Sequence, residues 1–184
     1  MQWRSMRFDD LAAVHALADR IHRNHREAIT VFAERLSLFP RGCRVLARDG
    51  QVGGYVISHP WHLDSAPKLD TLIWALPADP DCLYLHDIAI DAPYRRSGWF
   101  HAALAEIDRL AVDLELDRIA LVSVNRTAGL WAHHGFAATM GGAMEPQLAS
   151  YGPDAVYMVR QLSDDQVAGE SNVSRMRRAS SALR

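Results

Sequence analysis

Twice in its second half the chain runs from a short apolar strand through a polar turn into a helix. First comes "CLYLHDIAI" into "DAPYRRSGWFHAALAEI", then "RIALVSV" into "NRTAGLWAHHGF". Two such units in succession demand a sheet with helices packed on it, because each helix carries an apolar stripe that only a sheet face can cover. In the first helix Leu104, Ile107, Ala111 and Leu114 form that stripe. "RIALVSV" is apolar and β-branched enough to be a central strand buried on both faces.

The flanking sequence extends the pattern. After Asp10, a candidate N-cap, Leu11, Val14, Leu17 and Ile21 repeat at helical spacing. "EAITVFAERLSLF" predicts a second helix over 27–39, ended by Pro40. "RGCRVLARDGQVGGYVISHPW" predicts a hairpin about "RDGQ", and 61–82, with three prolines and several aspartates, a long irregular connection. "AVYMVRQL" closes the sheet. Residues 163–184 lack apolar periodicity and are expected to form a disordered tail, leaving one α/β domain over 1–162.

Composition removes several classes of function. A formal charge of −2 over 184 residues gives no field to recruit nucleic acid or an anionic membrane. No apolar run approaches the roughly 18 residues of a membrane span, and "MQWRSMRFDD" does not read as a signal peptide, so a cytoplasmic protein is expected. Cys43 and Cys82, far apart, suggest neither disulfide nor zinc site. His22 and His25 share a helical face but have no third ligand nearby in sequence, so no metal is expected. G-x-S-x-G, P-loop and H-E-x-x-H motifs are absent.

The first strand-to-helix turn carries Arg95, Arg96, Ser97 and Gly98. Unpaired amides at a helix start can cradle a diphosphate, with an arginine adding a charge-assisted contact; a basic turn can equally be a solvated loop. Taken together, the two units resemble the central motifs of the GNAT superfamily of acyl-CoA-dependent N-acetyltransferases. Arg95, Gly98 and Phe100 stand at the family's Gln/Arg-x-x-Gly-x-Gly/Ala positions, and Asn125, Trp131, Gly135 and Phe136 answer its second motif.

The resemblance implies a mixed, mostly antiparallel sheet flanked by helices, with two central parallel strands splayed apart. It also implies acetyl-CoA as acyl donor and an amine as acceptor, with no metal. The diphosphate would rest on the amides of Arg96, Ser97, Gly98, Trp99 and Phe100. The pantetheine arm would lie between strands 84–90 and 119–124, contacting the backbone near Ile88 and Ile90 and the side chain of Asn125. Trp131 stands where the family often has a tyrosine acid, and an indole N–H cannot take that role. Phe100 replaces a glycine or alanine: its ring either packs into the core or obstructs the diphosphate, and the second case would leave a binding or scaffold domain without catalysis.

An acceptor amine must lose a proton. Strict alternation along 83–90 puts Tyr84, His86, Ile88 and Ile90 on one face, and Leu85, Asp87 and Ala89 on the other. His86, on the face of the expected thioester contacts, is the first candidate base, followed by Tyr84 and Asp87. His134, Trp61, His62, Trp74 and Tyr151 are candidates to wall the acceptor pocket; the loop aromatics suit a homodimer contact equally well.

Overall fold

The computed structural model describes residues 1–139 and 144–163. From residue 164 onward, the expected tail lies outside the described residues. The elements run β1 (Gln2–Ser5), α1 (Leu11–Ile21), α2 (Ile29–Leu38), β2 (Cys43–Arg48), β3 (Gln51–Trp61), β4 (Cys82–Ile90), α3 (Trp99–Asp113), β5 (Arg118–Ser123), α4 (Ala128–His133), β6 (Ala137–Ala138), α5 (Glu145–Leu148) and β7 (Val156–Gln161). The strands form one sheet in the order β1-β2-β3-β4-β5-β7-β6, antiparallel throughout except for the pair β4 and β5. This is the mixed α/β sheet expected.

Alternation in the strands divides the core between two faces. On one, Leu83 and Leu85 of β4 and Ile119 and Leu121 of β5 meet Leu104, Ile107 and Ala111 of α3. On the other, Val45, Tyr55, Ile57 and Ala89 meet Val14 and Leu17 of α1 and Phe32 of α2. Farther along that second face, Tyr84, Ala120 and Tyr157 pack with Ala66 from the long connection. The hairpin turns at Asp49 and Gly50, both with positive φ (49° and 81°), as a two-residue turn matched to strand twist requires.

Local expectations shift at the helix ends. Asp10 does not cap α1: its carboxylate takes both guanidinium nitrogens of Arg4 at 2.7 Å and the Arg7 amide at 2.8 Å, tying β1 to the helix. α1 ends at Ile21, so His22 and His25 are not on a helical face, and Glu27 precedes α2 rather than opening it.

β4 departs most from the simple pattern. Ile57 of β3 stands opposite Asp87, but the next residue, Ser58, stands opposite Leu85, so His86 is an extra residue in the ladder. Such a bulge bends its strand and interrupts pairing. β4 meets β5 only at Leu83 with Ile119 and Tyr84 with Ala120, before the bulge. Beyond it the two strands part.

Candidate active site

The parting of β4 and β5 leaves a cleft open to solvent. Leu85, His86, Asp87 and Ile88 line it from β4, and Leu121, Val122, Val124 and Asn125 from β5 and the turn after it. Phe100 of α3, Trp131 of α4, Tyr151, and His22, His25 and Glu27 from the segment between α1 and α2 complete the walls.

The bulge corrects the face assignment. Strict alternation would separate His86 from Asp87, but the extra residue resets the pleat, so Tyr84, His86, Asp87 and Ala89 share one face while Leu85 and Ile88 face α3. Ile88 and Ile90 therefore do not share a face with His86. His86 and Asp87 both reach the α1–α2 segment, which answers with one acid and one histidine. His86 Nε2 lies 3.0 Å from Glu27 Oε2, with the side chains 2% and 6% exposed. His22 Nε2 lies 3.1 Å from Asp87 Oδ1, and Tyr55 donates to Asp87 Oδ2 at 2.5 Å.

These pairs fix charge in a poorly solvated place. Burial is the largest influence on Glu27 and disfavours its charge, yet its pairing with His86 outweighs that and holds the carboxyl below its ordinary range. Asp87 is likewise held low by His22 and Tyr55 against its burial. Asp87 in turn raises His22 above its ordinary value, against burial. Glu27 Oε1 also accepts the Asp70 amide at 3.1 Å, and its carbonyl lies 2.9 Å from His15 Nε2.

Tyr84 is a poor candidate for the chemistry. It does not line the cleft; its buried hydroxyl donates to Tyr151, which donates to the Pro67 carbonyl at 2.9 Å. Burial, with Tyr151 beside it, pushes this phenol well above its usual value. His134 is also absent from the cleft walls: its ring lies 5.2 Å from Phe100 and 5.0 Å from His101, outside the mouth. Trp61 is occupied by the Ser65 carbonyl at 2.5 Å, Trp74 is 79% exposed, and neither they nor His62 line the cleft. Of these acceptor candidates only Tyr151 does.

At the end of β4 the basic turn takes a specific shape. Arg96 and Gly98 both have positive φ (61° and 78°), and a Cβ at Gly98 would meet nothing within 4 Å. The Ala102 amide bonds the Gly98 carbonyl at 3.0 Å, so the amides of Trp99, Phe100 and His101 precede the helical ladder. Arg96 and Ser97 are exposed, but Arg95 is not aimed over the turn: its Nε bonds the Ile90 carbonyl at 2.8 Å. Trp99 is half-buried and accepts the Trp3 indole at its carbonyl at 3.1 Å.

Phe100 lies against Trp131 and His134, with ring centroids 5.7 and 5.2 Å away, and packs on the α3-side core. Trp131 is buried and stacks edge-on with Phe136 at 5.3 Å. Asn125 sits at the cleft with φ 55°, a left-handed conformation asparagine tolerates. Among the described residues no group of histidine, cysteine or acidic side chains could hold a metal, and no helix is long and apolar enough to cross a membrane.

Glu27 and Tyr55 were not legible as site residues in the sequence, and His22 was weighed there only with His25 as a metal ligand. Glu27 reads there as part of a helical run, and its partner is 59 residues away.

A mixed sheet parted at its parallel pair, with a glycine turn where the bulged strand meets its helix, is the architecture of the GNAT fold. The chain belongs to the acetyltransferase (GNAT) family, whose model matches residues 8–136. No curated protein matches it. Among solved structures it resembles Ard1 from Thermoplasma volcanium, with 14% identity over 89% of this chain and 98% of that one and a TM-score of 0.66. The GphF GNAT-like decarboxylase in complex with isobutyryl-CoA is 19% identical over 89% and 100% of the two chains, with a TM-score of 0.67. N-acetylglutamate synthase from Neisseria gonorrhoeae, complexed with coenzyme A and N-acetyl-glutamate, is 20% identical over 88% of this chain and 35% of that one, with a TM-score of 0.63.

Proposed function

We propose that the protein transfers an acetyl group from acetyl-CoA to a primary amine by direct attack within a ternary complex. The observation that carries this reading is the parted β4–β5 cleft, whose lining runs from Phe100 in the first turn of α3 to the His86 and Glu27 pair. The donor's diphosphate rests on the amides of Arg96, Ser97, Gly98, Trp99 and Phe100, and its arm lies along Ile88 and past Asn125 and Trp131. Structures of the fold with coenzyme A or an acyl-CoA bound support the choice of donor. Phe100 packing on Trp131 supports catalysis over a scaffold role, because a ring held by the core is not swung across the turn.

His86 serves as proton acceptor. An alkylamine of pKa about 10.4 is free base in only roughly one molecule in two thousand at neutral pH, so removal of its proton has to be assisted. The His86 side chain is 2% exposed while the residue as a whole is half-buried, so its main chain is more open to the cleft than its ring. A main-chain donor there would stabilise the developing oxyanion of the thioester. Trp131 cannot protonate the leaving thiolate, which takes its proton from water or from His86.

Thermal unfolding with and without acetyl-CoA tests the donor. At about a hundred times the dissociation constant, binding stabilises by about 2.7 kcal/mol, or roughly 5 to 10 °C for this chain length. A panel of amines with thiol release as readout tests the reaction. Donor binding without thiol release across the panel would overturn the amine reading, and no thermal shift would overturn the donor.

A further inference from the structure

We propose that Glu27 is the positioning residue for His86: its carboxylate accepts the Nε2 proton and so keeps the imidazole lone pair on Nδ1, the ring nitrogen left without a partner. The inference rests on the acyl-transfer reading and goes beyond it, because it assigns each ring nitrogen a task and gives the α1–α2 segment a part in the chemistry.

The argument is one of donors and acceptors. An ionised carboxylate can only accept hydrogen bonds. Glu27 Oε1 takes the Asp70 amide at 3.1 Å, and Oε2 stands 3.0 Å from His86 Nε2. Were Nε2 to carry the lone pair, two lone pairs would face each other at that distance in a place nearly closed to water. The proton therefore belongs on Nε2, and a neutral ring then has its base at Nδ1. Nδ1 is buried, finds no partner among the described residues, and belongs to a residue that lines the cleft.

The other groups around the ring do not compete for this role. From β3, His59 lies 6.2 Å away and is pushed down to about 3 by its burial and then by His86, so it stays neutral. On β4, Tyr84 donates to Tyr151, and Asp87 is committed to His22 and Tyr55. From α2, Arg35 is committed to Glu34 and the Thr71 carbonyl. His25 bonds the Tyr151 carbonyl through Nε2 at 2.7 Å.

The step balances. The amine nitrogen forms a bond to the thioester carbon, the carbon–sulfur bond breaks with its electron pair going to coenzyme A sulfur, and the amine proton passes to His86 Nδ1. Glu27 stabilises the resulting imidazolium. Transfer of that proton to the thiolate or to water restores the neutral ring.

The test is the tautomer of His86, read from two-bond proton–nitrogen correlation spectra of the neutral ring and assigned by its loss in His86→Gln. The parent is expected to show the Nε2–H pattern. Glu27→Gln, whose amide can either accept from Nε2 or donate to it, is expected to show both tautomers, with kcat lowered about tenfold or more and KM for acetyl-CoA unchanged. A residue that merely held the fold would leave the tautomer alone. An Nδ1–H pattern in the parent, or an unchanged pattern in Glu27→Gln, overturns the proposal. Should Glu27→Gln not fold, Glu27→Met, which keeps the length and removes the acceptor, is read by the same criterion. Because the spectra need no turnover, a protein that transfers nothing to any amine would fail the reading above and still decide this one.

Discussion

His86 and Asp87 are neighbours in sequence and lie on the same face of the sheet, each paired with a side chain from the α1–α2 segment. The two pairs run in opposite senses: the strand supplies a histidine to Glu27 and an aspartate to His22. One extra residue in β4 thus opens the cleft, by ending the pairing with β5, and furnishes its wall with ionisable groups.

The His22–Asp87 pair predicts a pH window of stability. His22 is raised above 6.5 in the folded protein, so its contribution is complete below that value and fades as pH rises through the folded one. Asp87 is lowered below 3.8, so its contribution is present above that value and fades as pH falls through the folded one. Replacing His22 by glutamine is therefore expected to lower Tm most near about pH 5, by an amount corresponding to about 1 to 3 kcal/mol, with the gap narrowing as pH rises through the raised folded value. A gap of constant size across that range would show that the pair carries no charge.

Gly98 separates charge from strain at the turn. Any non-glycine residue at φ 78° meets a penalty of roughly 1 to 2 kcal/mol, but the space around the Cβ is open, so both Gly98→Asn and Gly98→Asp should fold. Asparagine tolerates the conformation and leaves the amides usable. Aspartate places a negative charge beside the diphosphate. Thermal shift with acetyl-CoA is expected to survive in the first variant and vanish in the second; equal shifts in the two would move the diphosphate elsewhere.

Phe100 tests whether the large residue at the family's small position fills core or blocks the donor. Its ring touches Trp131 and His134, so Phe100→Ala should destabilise by about 1 to 3 kcal/mol and leave the dissociation constant for acetyl-CoA within a few-fold of the parent's. Calorimetry decides: a large gain in affinity would mean that the ring obstructs the seat.

How much of this was legible in the sequence depends on the range of the interaction. Apolar spacing is local, so α1, α2, the hairpin, α3 and β5 could be read from it, and the two strand-to-helix units carried the family. β1 and β6 were missed because an edge strand of four residues, "QWRS", and one of two residues leave no alternation to find. The face of Asp87 was misread because a bulge has no pattern of its own; it shows only when β3 is set against β4. Glu27 was missed for a related reason. A glutamate before an apolar helical run looks like a helix start, and nothing near it announces a partner on a strand of the sheet's centre.

The last prediction concerns the long connection between β3 and β4, which supplies Leu69 to the cleft and Ala66 to the core. Few of its residues are buried, so its position depends on polar ties to α2. Arg35, 0% exposed, donates to the Thr71 carbonyl at 2.9 Å and pairs with Glu34, whose carboxylate accepts the amides of Ile73 and Trp74 at 3.0 and 2.8 Å. Removing the guanidinium leaves Glu34 with only those amides in a half-dry site, and breaking such a pair costs about 3 to 5 kcal/mol. Arg35→Met keeps much of the volume and so isolates the loss of these ties. Limited proteolysis of this variant below its Tm is expected to cut within residues 62–81 well before the helices. Resistance equal to the parent's would mean that the remaining ties, among them Tyr151 to the Pro67 carbonyl and Glu27 to the Asp70 amide, hold the connection in place.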